Sequence, residues 1–556
     1  MNEDNNENIV LEEYENEFSY KKNKSNLNIQ FNRIAFIFFI FLIISLIYSI
    51  QLLHLGSLKQ NIKKGVQISN TKNYRADIID INGNYLVKTV RTIDVGINPL
   101  QVIDKKHLLL MLNYIFPQKK KEIQKRLDDE KFFYLEKNIS QNKYEEIMLL
   151  GDKSISSNES LIRLYPQENL FSHIIGQIDD DNNGISGIEK SFDQELKKIS
   201  EPLQLTVDTD IQFLIRKELI KYQEIFRSKG SAAILMNVNN GEILSMVSLP
   251  DFNLNKREKI KDVNYINRAT KGVYELGSVF KTFTIAAGLD AGLIEPETEF
   301  INLKKKLKCG KNTITEYDNK IPSDLTVEQI LIRSGNIGSV RIGQKLEIEK
   351  LKNFLEKIGI LKKIDFDIEE VGEPIPFRWG KCKLATVSFG HGITTTLLQL
   401  ATGYAIISNG GFEIKPTLIK QTLQRSQKNK RIIRTGVSKK INSILRKIVT
   451  SKEGTAGFAN IDGYEVGGKT GTAEKSTVGG YDSKAKVNTF IAVFPTSQPK
   501  YTLVILMDEP KTSSDYVYNY RNKKGSYKGT PFNTAGWTSV EVAGKIIEKI
   551  GPILAT

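Results

Sequence analysis

Tyr274-Glu275-Leu276-Gly277-Ser278-Val279-Phe280-Lys281-Thr282-Phe283-Thr284-Ile285-Ala286-Ala287-Gly288-Leu289 is the stretch on which the reading turns. A glycine turn runs into an apolar segment without a single acid, the pattern of a buried helix. A helix starting there sets Ser278 and Lys281 one turn apart on one face, within reach of each other. Serine is a poor nucleophile until a base takes its proton, and a lysine can be that base when burial and neighbouring positive charge lower its pKa. The helix N-terminus adds backbone N–H groups for a developing oxyanion. By itself the S-x-x-K spacing carries little. The same spacing begins at Ser19, Ser69, Ser140, Ser483 and Ser497.

Two further clusters lie downstream. Ser334-Gly335-Asn336 offers a second hydroxyl for proton relay and an amide to orient a chain; read plainly it is a polar turn, and Ser156-Ser157-Asn158 and Ser140-Gln141-Asn142 share its form. Lys469-Thr470-Gly471-Thr472, inside YEVGGKTGTAEK, combines a cation and two hydroxyls that could hold a carboxylate. Its glycines would let a ligand approach the backbone and pair as an added strand. The competing reading is a β-turn, as Arg434-Thr435-Gly436 suggests. The order is what discriminates. S-x-x-K, S-x-N and K-T-G start 56 and 135 residues apart, in the sequence order shared by penicillin-binding proteins and class A β-lactamases.

From the anchor to the C-terminus the chain resembles a class B penicillin-binding protein. Arg75-Ala76-Asp77-Ile78-Ile79-Asp80-Ile81-Asn82-Gly83-Asn84 is similar to the family's R-G-x-I-x-D-R-N-G element, with Ala76 for Gly and Ile81 for Arg. Arg163-Leu164-Tyr165-Pro166, Ser172-His173-Ile174-Ile175-Gly176 and Gly187-Ile188-Glu189-Lys190-Ser191-Phe192 resemble further N-terminal elements. Ser388-Phe389-Gly390-His391-Gly392 and Gly454-Thr455-Ala456 resemble catalytic-domain ones. A compact N-terminal module, GGKTGTAEK and the ending TAGWTSVEVAGKII resemble the division-specific, FtsI-like branch rather than the elongation-specific one.

The resemblance implies an acyl-enzyme D,D-transpeptidase that cross-links D-Ala-D-Ala stem peptides of peptidoglycan and is blocked by β-lactams. It implies Ser278 as nucleophile, Lys281 as its base, Ser334 and Asn336 in proton transfer and substrate holding, and Lys469, Thr470, Gly471 and Thr472 at the D-Ala carboxylate. The backbone N–H groups of Ser278 and Thr472 would form the oxyanion hole. Gly335 stands where Ser or Asp is commoner, which bears on the rigidity of that loop. Expected partners are an FtsW-like lipid-II polymerase, other divisome membrane proteins and the cytoplasmic membrane. No nucleic acid, cofactor or metal is expected.

Ile34 to Leu55, IAFIFFIFLIISLIYSIQLLHL, is apolar and carries no Asp, Glu, Lys or Arg. As a helix its 22 residues span about 33 Å, enough for a hydrocarbon core of about 30 Å. It is too long for a signal peptide's apolar region and lacks a small-residue exit, so it reads as an uncleaved anchor. Flanking charges barely orient it, with Lys21, Lys22, Lys24 and Arg33 before and Lys59, Lys63 and Lys64 after. The family resemblance implies an inner-membrane, single-pass protein with its N-terminus inside and its catalytic part periplasmic. The first 20 residues are acidic and Asn-rich and read as a disordered tail.

The remainder suggests an α+β fold. Residues 205–226 have helical period with Asp208, Thr209 and Asp210 as candidate caps, and β-rich runs flank Asn239-Asn240-Gly241 as a hairpin. Helical material follows from about 278 to 450; strand-like runs return at 490–494 and 501–507, before a helix from Val540 to Lys549. This places one antiparallel sheet beside a helical subdomain. The expected division is a tail 1–33, an anchor 34–55, a mixed α/β pedestal 56–200 and a transpeptidase domain of the penicillin-binding/β-lactamase type 201–556.

Composition agrees with an anchored globular enzyme. Hydrophobic residues are 40% of 556, so a wholly disordered chain is excluded. The net charge of +15 accompanies a general richness in Lys, Ile and Asn, without a dominant basic cluster. Two cysteines and four histidines do not make a Cys/His zinc site, and the spacing of Cys309 and Cys382 leaves their pairing open. A class A β-lactamase would carry E-x-x-L-N after the S-x-N, and the roughly 100 residues after Asn336 contain none. A D,D-carboxypeptidase would use water as acceptor, and the relatives of that kind usually lack this N-terminal pedestal, so the resemblance points away from it. A pure scaffold would not need three intact motifs, and too few residues precede 200 for a fused glycosyltransferase.

Overall fold

The computed structural model describes residues 24–57, 74–256, 263–310, 312–420, 430–477, 480–520 and 525–555. It divides into two compact units, Met1–Thr71 and Lys72–Thr556. In the first, helix α1 (Lys24–Ser57) contains the expected anchor. Its window Ala35–Leu52 has mean hydropathy 2.5, and none of it is buried within the chain. A helix this apolar with no protein cover finds its low-energy environment in lipid. The expected acidic tail lies outside the described residues.

The second unit opens with a small sheet. Strand β1 (Ile78–Ile79) pairs antiparallel with β2 (Tyr85–Ile97), which also pairs with β3 (Phe133–Ile139) and β4 (Ile155–Leu164). Strand β5 (Leu203–Gln204) runs parallel to β1. Short helices between 105 and 148 close a satellite core around Val95, Ile97, Leu108, Leu112 and Ile147. Beside this sheet three of the N-terminal motifs meet. Arg75 and Arg163 both bind the Glu189 carboxylate, and Arg75 also reaches Asp193 at 2.7 Å. The Arg75 and Glu189 side chains are fully buried and Arg163 nearly so. Asp80 organises the next turn, accepting from the backbone of Asn82 and Asn84 and from the Thr209 hydroxyl.

The larger sheet forms from distant parts of the chain. Helix α2 (Thr209–Ile225) is capped by Asp208, whose side chain accepts from Asp210 N and Ile211 N. The hairpin β6 (Gly230–Asn237) and β7 (Ile243–Leu249) follows as expected. Then come α3 (Phe280–Asp290), strands β8 (Lys306–Cys309) and β9 (Asn312–Thr315), and helices α4 (Asn336–Lys357), α5 (Lys381–Val387), α6 (Leu397–Ser408) and α7 (Thr435–Thr450). The chain returns as β10 (Gly467–Thr477), β11 (Gly480–Phe494) and β12 (Tyr501–Asp508), and closes with α8 (Ser539–Ala555). The sheet order is β10-β11-β12-β6-β7, all antiparallel. Helices α2 and α8 pack on each other and on the sheet, while α6 packs on β6 and β12 with α7 beside it. Strands β6 and β12 are thus covered on both faces, which is why their sequences are continuous apolar runs rather than alternating ones.

Two short antiparallel pairings depart from the helical material expected between about 278 and 450, one joining Glu299–Phe300 to Leu325–Thr326 and the other a longer ribbon. Residues 306–315 form a two-stranded antiparallel ribbon, with Cys309 opposite Asn312 and Lys306 opposite Thr315. Strands of four residues are too short for a clear period-2 signal among lysines, although Gly310, at φ +61°, marks the turn. The pairing that the sequence left open is settled here as well: Cys309 and Cys382 are joined, tying the ribbon to α5.

Candidate active site

Ser278 lies in a single 3₁₀ turn, Gly277–Val279, that leads directly into α3. Three glycines set its position. Gly277 has φ +64°, and a Cβ there would sit 2.7 Å from the Thr472 carbonyl oxygen. A Cβ on Gly471 would meet the Leu276 carbonyl at 2.1 Å, and one on Gly390 would meet the Gly277 carbonyl at 1.9 Å. The turn carrying the hydroxyl is therefore lodged between strand β10 and the 388–392 loop, closer than any side chain allows. This brings the backbone around Ser278 beside that of Thr472.

Helix α3 is buried along its whole first ten residues, Lys281 included. The Lys281 ammonium nitrogen contacts the Ser334 carbonyl, the Ser334 hydroxyl at 3.2 Å and Asn336 Oδ1 at 2.7 Å. All three atoms can accept, as the three N–H groups of an ammonium need; a neutral amine would donate to the carbonyl and Asn336 Oδ1 and accept from the Ser334 hydroxyl. Burial pushes the Lys281 pKa down to about 7, against an opposing pull from Glu316. Lys469, also fully buried, reaches the same Ser334 hydroxyl from the other side at 2.8 Å. Its pKa is lowered by burial and further by the charge of Lys281. Two amines sharing one hydroxyl in a water-poor site cannot both keep a proton cheaply, so the trio Lys281, Ser334 and Lys469 forms a proton-sharing line.

The K-T-G segment is the outer strand of the large sheet: Lys469 to Thr472 pair with Ile491 to Asn488 of β11. Its other edge faces the Ser278 turn. The Thr470 hydroxyl bonds the Thr455 hydroxyl at 2.7 Å, and Thr472 Oγ1 accepts from Ala535 N at 3.0 Å. Among the described residues Thr472 Oγ1 is an acceptor only, so its O–H can donate to an incoming acceptor.

All eight residues singled out from the sequence thus converge on one site. One expected contact is not made: among the described residues, the Ser278 hydroxyl has no hydrogen bond to Lys281, whose nitrogen is turned to Ser334 and Asn336. Such bonds commonly tighten only when substrate is bound. Sequence reasoning missed Tyr404, whose buried hydroxyl donates to the Val279 carbonyl and can accept from the Thr282 hydroxyl, and so braces the nucleophile turn. A tyrosine within an apolar helix carries no signal of that role. Glu316 was missed too, for it follows directly on the ribbon, in a stretch expected as helical.

Known proteins match over most of the chain. Residues 231–530 match the penicillin-binding protein transpeptidase domain, and residues 70–218 match the penicillin-binding protein dimerisation domain. A probable peptidoglycan D,D-transpeptidase FtsI of Caulobacter vibrioides is 31% identical over 86% of this chain and 81% of its own. Stage V sporulation protein D of Bacillus subtilis is 30% identical over 79% of this chain and 74% of its own. A peptidoglycan synthetase of Bifidobacterium adolescentis, 20% identical, superimposes with a TM-score of 0.66 over 87% of this chain and 96% of its own, which shows the fold. Matched over both domains and 31% identical to a probable peptidoglycan D,D-transpeptidase across most of its length, the chain belongs to the class B penicillin-binding proteins, the peptidoglycan D,D-transpeptidases.

Proposed function

We propose that the chain cross-links septal peptidoglycan through a Ser278 acyl-enzyme. The observation that carries this reading is the line Lys281–Ser334–Lys469, two buried amines bracketing one hydroxyl beside the Ser278 turn. A D-Ala-D-Ala carboxylate arriving at Lys469, Thr470 and Thr472 brings negative charge to Lys469 and holds its proton there. Lys281 is left neutral and takes the Ser278 proton as Oγ attacks the penultimate D-Ala carbonyl. The oxyanion is met by the N–H groups of Ser278 and Thr472. Ser334 passes the proton on, the C–N bond breaks, and D-Ala leaves as an amine. A neighbouring stem's amine then attacks the ester, and its proton returns through the same line. A β-lactam enters by the first step and stays on Ser278 because its leaving group remains tethered.

The proposed organisation is a pedestal 56–200 carrying the transpeptidase domain 201–556, anchored by residues 34–55 with the tail 1–33 inside and the catalytic part periplasmic. Two things support this. The substrate class lies outside the cytoplasmic membrane, and the Cys309–Cys382 bond is of a kind that persists in oxidising compartments. The proposed partners are an FtsW-like lipid-II polymerase, which would supply the glycan strands, and other divisome membrane proteins. The septal branch is favoured by the FtsI relative.

Full-length protein in membranes, given nascent glycan strands with pentapeptide stems, is expected to release D-Ala and form one cross-link per D-Ala. Release without cross-links would make it a carboxypeptidase. A fluorescent fusion is expected at midcell, and an even side-wall distribution would move it to the elongation branch.

A further inference from the structure

The S-x-N motif adopts a costly geometry. Ser334 has φ +57°, a left-handed conformation that a serine adopts only where its surroundings enforce it. The next residue, Gly335, is the N-cap position of α4 and has no side chain to satisfy the first N–H groups of that helix. Three consecutive residues leading out of the β8–β9 ribbon supply what is missing. The Glu316 carboxylate accepts from Asn336 N at 2.7 Å and from Ile337 N at 2.9 Å. The Thr315 carbonyl accepts from Asn336 Nδ2 at 2.8 Å, leaving Asn336 Oδ1 aimed at Lys281. The Tyr317 hydroxyl donates to the Arg333 carbonyl at 2.8 Å.

We propose that Glu316 is a positioning residue for transpeptidation: by capping α4 from the ribbon it holds Ser334 and Asn336 in register around Lys281. The carboxylate does in trans what a serine or aspartate at 335 could do in cis, which accounts for how a glycine is tolerated there. Its base is fixed because the ribbon is bonded to α5 through Cys309 and Cys382. The proposal rests on Lys281 acting as the base of Ser278.

Glu316 also acts on Lys281 through its charge, and this separates positioning from a merely structural part. The charged groups facing Lys281 are Glu316 from the ribbon and Lys469 from β10, while Arg333 is turned to Glu453. Glu316 holds the Lys281 pKa up. Glu316→Gln keeps the shape and one acceptor but removes the charge and one of the two cap bonds. Glu316→Asp keeps the charge and shortens the reach.

The test is the second-order rate of labelling of the full-length protein by fluorescent penicillin from pH 5 to 9, for wild type, both variants and Ser278→Ala. Labelling by Glu316→Gln is expected to slow by up to about 10²-fold, as a displaced catalytic group does, with its acid limb moved to lower pH. Glu316→Asp is expected to slow with the limb in place. Wild-type rates in both variants would overturn the proposal, as would slower labelling of Glu316→Gln with an unmoved limb. Persistent labelling of Ser278→Ala would instead overturn the acyl-enzyme reading beneath it.

Discussion

Lys281→Met is expected to cut the acylation rate by about 10³-fold, within the range that removing a general base costs, while the protein stays folded. Methionine is an unbranched apolar side chain for a fully buried position, and the desolvation cost lost with the amine offsets the Ser334 carbonyl and Asn336 Oδ1 left unpaired. What disappears is the acceptor for the Ser278 proton. The pH dependence of the unmodified enzyme follows from the same group. With its pKa lowered to about 7 by burial, Lys281 is neutral and competent above that pH. Below it the amine is protonated and cannot accept, so acylation is expected to fall about tenfold per pH unit. Stopped-flow labelling across pH, alongside a thermal melt of Lys281→Met, checks both. A variant that labels at the wild-type rate would remove Lys281 from the base role.

The largest effect on stability is expected far from the chemistry, at Glu189. Its carboxylate is fully buried and is shared by Arg75 and Arg163, themselves buried. Glu189→Ala leaves two guanidinium groups with one carboxylate fewer in a site that water does not reach. Breaking a buried pair in this way costs about 3–5 kcal/mol. Denaturant unfolding of the full chain is expected to show a loss of that size. Glu189→Gln, which keeps one acceptor oxygen for the two arginines, should lose less. A loss under about 1 kcal/mol, the range of exposed pairs, would show that the cluster is hydrated and not the keystone of its region.

These two sites show why some of the molecule could be read in advance. Arg75, Arg163 and Glu189 belong to three separate sequence elements, each unremarkable as a string, and the fold brings them to one carboxylate. Ser278, Lys281, Ser334, Asn336 and Lys469 behave alike: ordered short motifs whose meaning lies in their convergence. The large sheet was legible because β6 and β12 are buried on both faces and so are unbroken apolar runs. The ribbon at 306–315 was not, because four-residue strands rich in lysine give no period to detect. With the ribbon went Glu316, since an acid 20 residues upstream of a helix gives no sign of capping it until the structure shows the bond and that the cap residue is Gly335. The Cys309–Cys382 bond was beyond reach for a different reason: two cysteines 73 residues apart carry no information on distance in space.

The central claim is that Ser278 is the acylated nucleophile. The most direct measurement is peptide mass mapping of full-length protein after exposure to penicillin. The account predicts a lasting adduct of one penicillin on the peptide containing Ser278, absent in Ser278→Ala. An adduct on another residue, or rapid drug turnover with none, would contradict it.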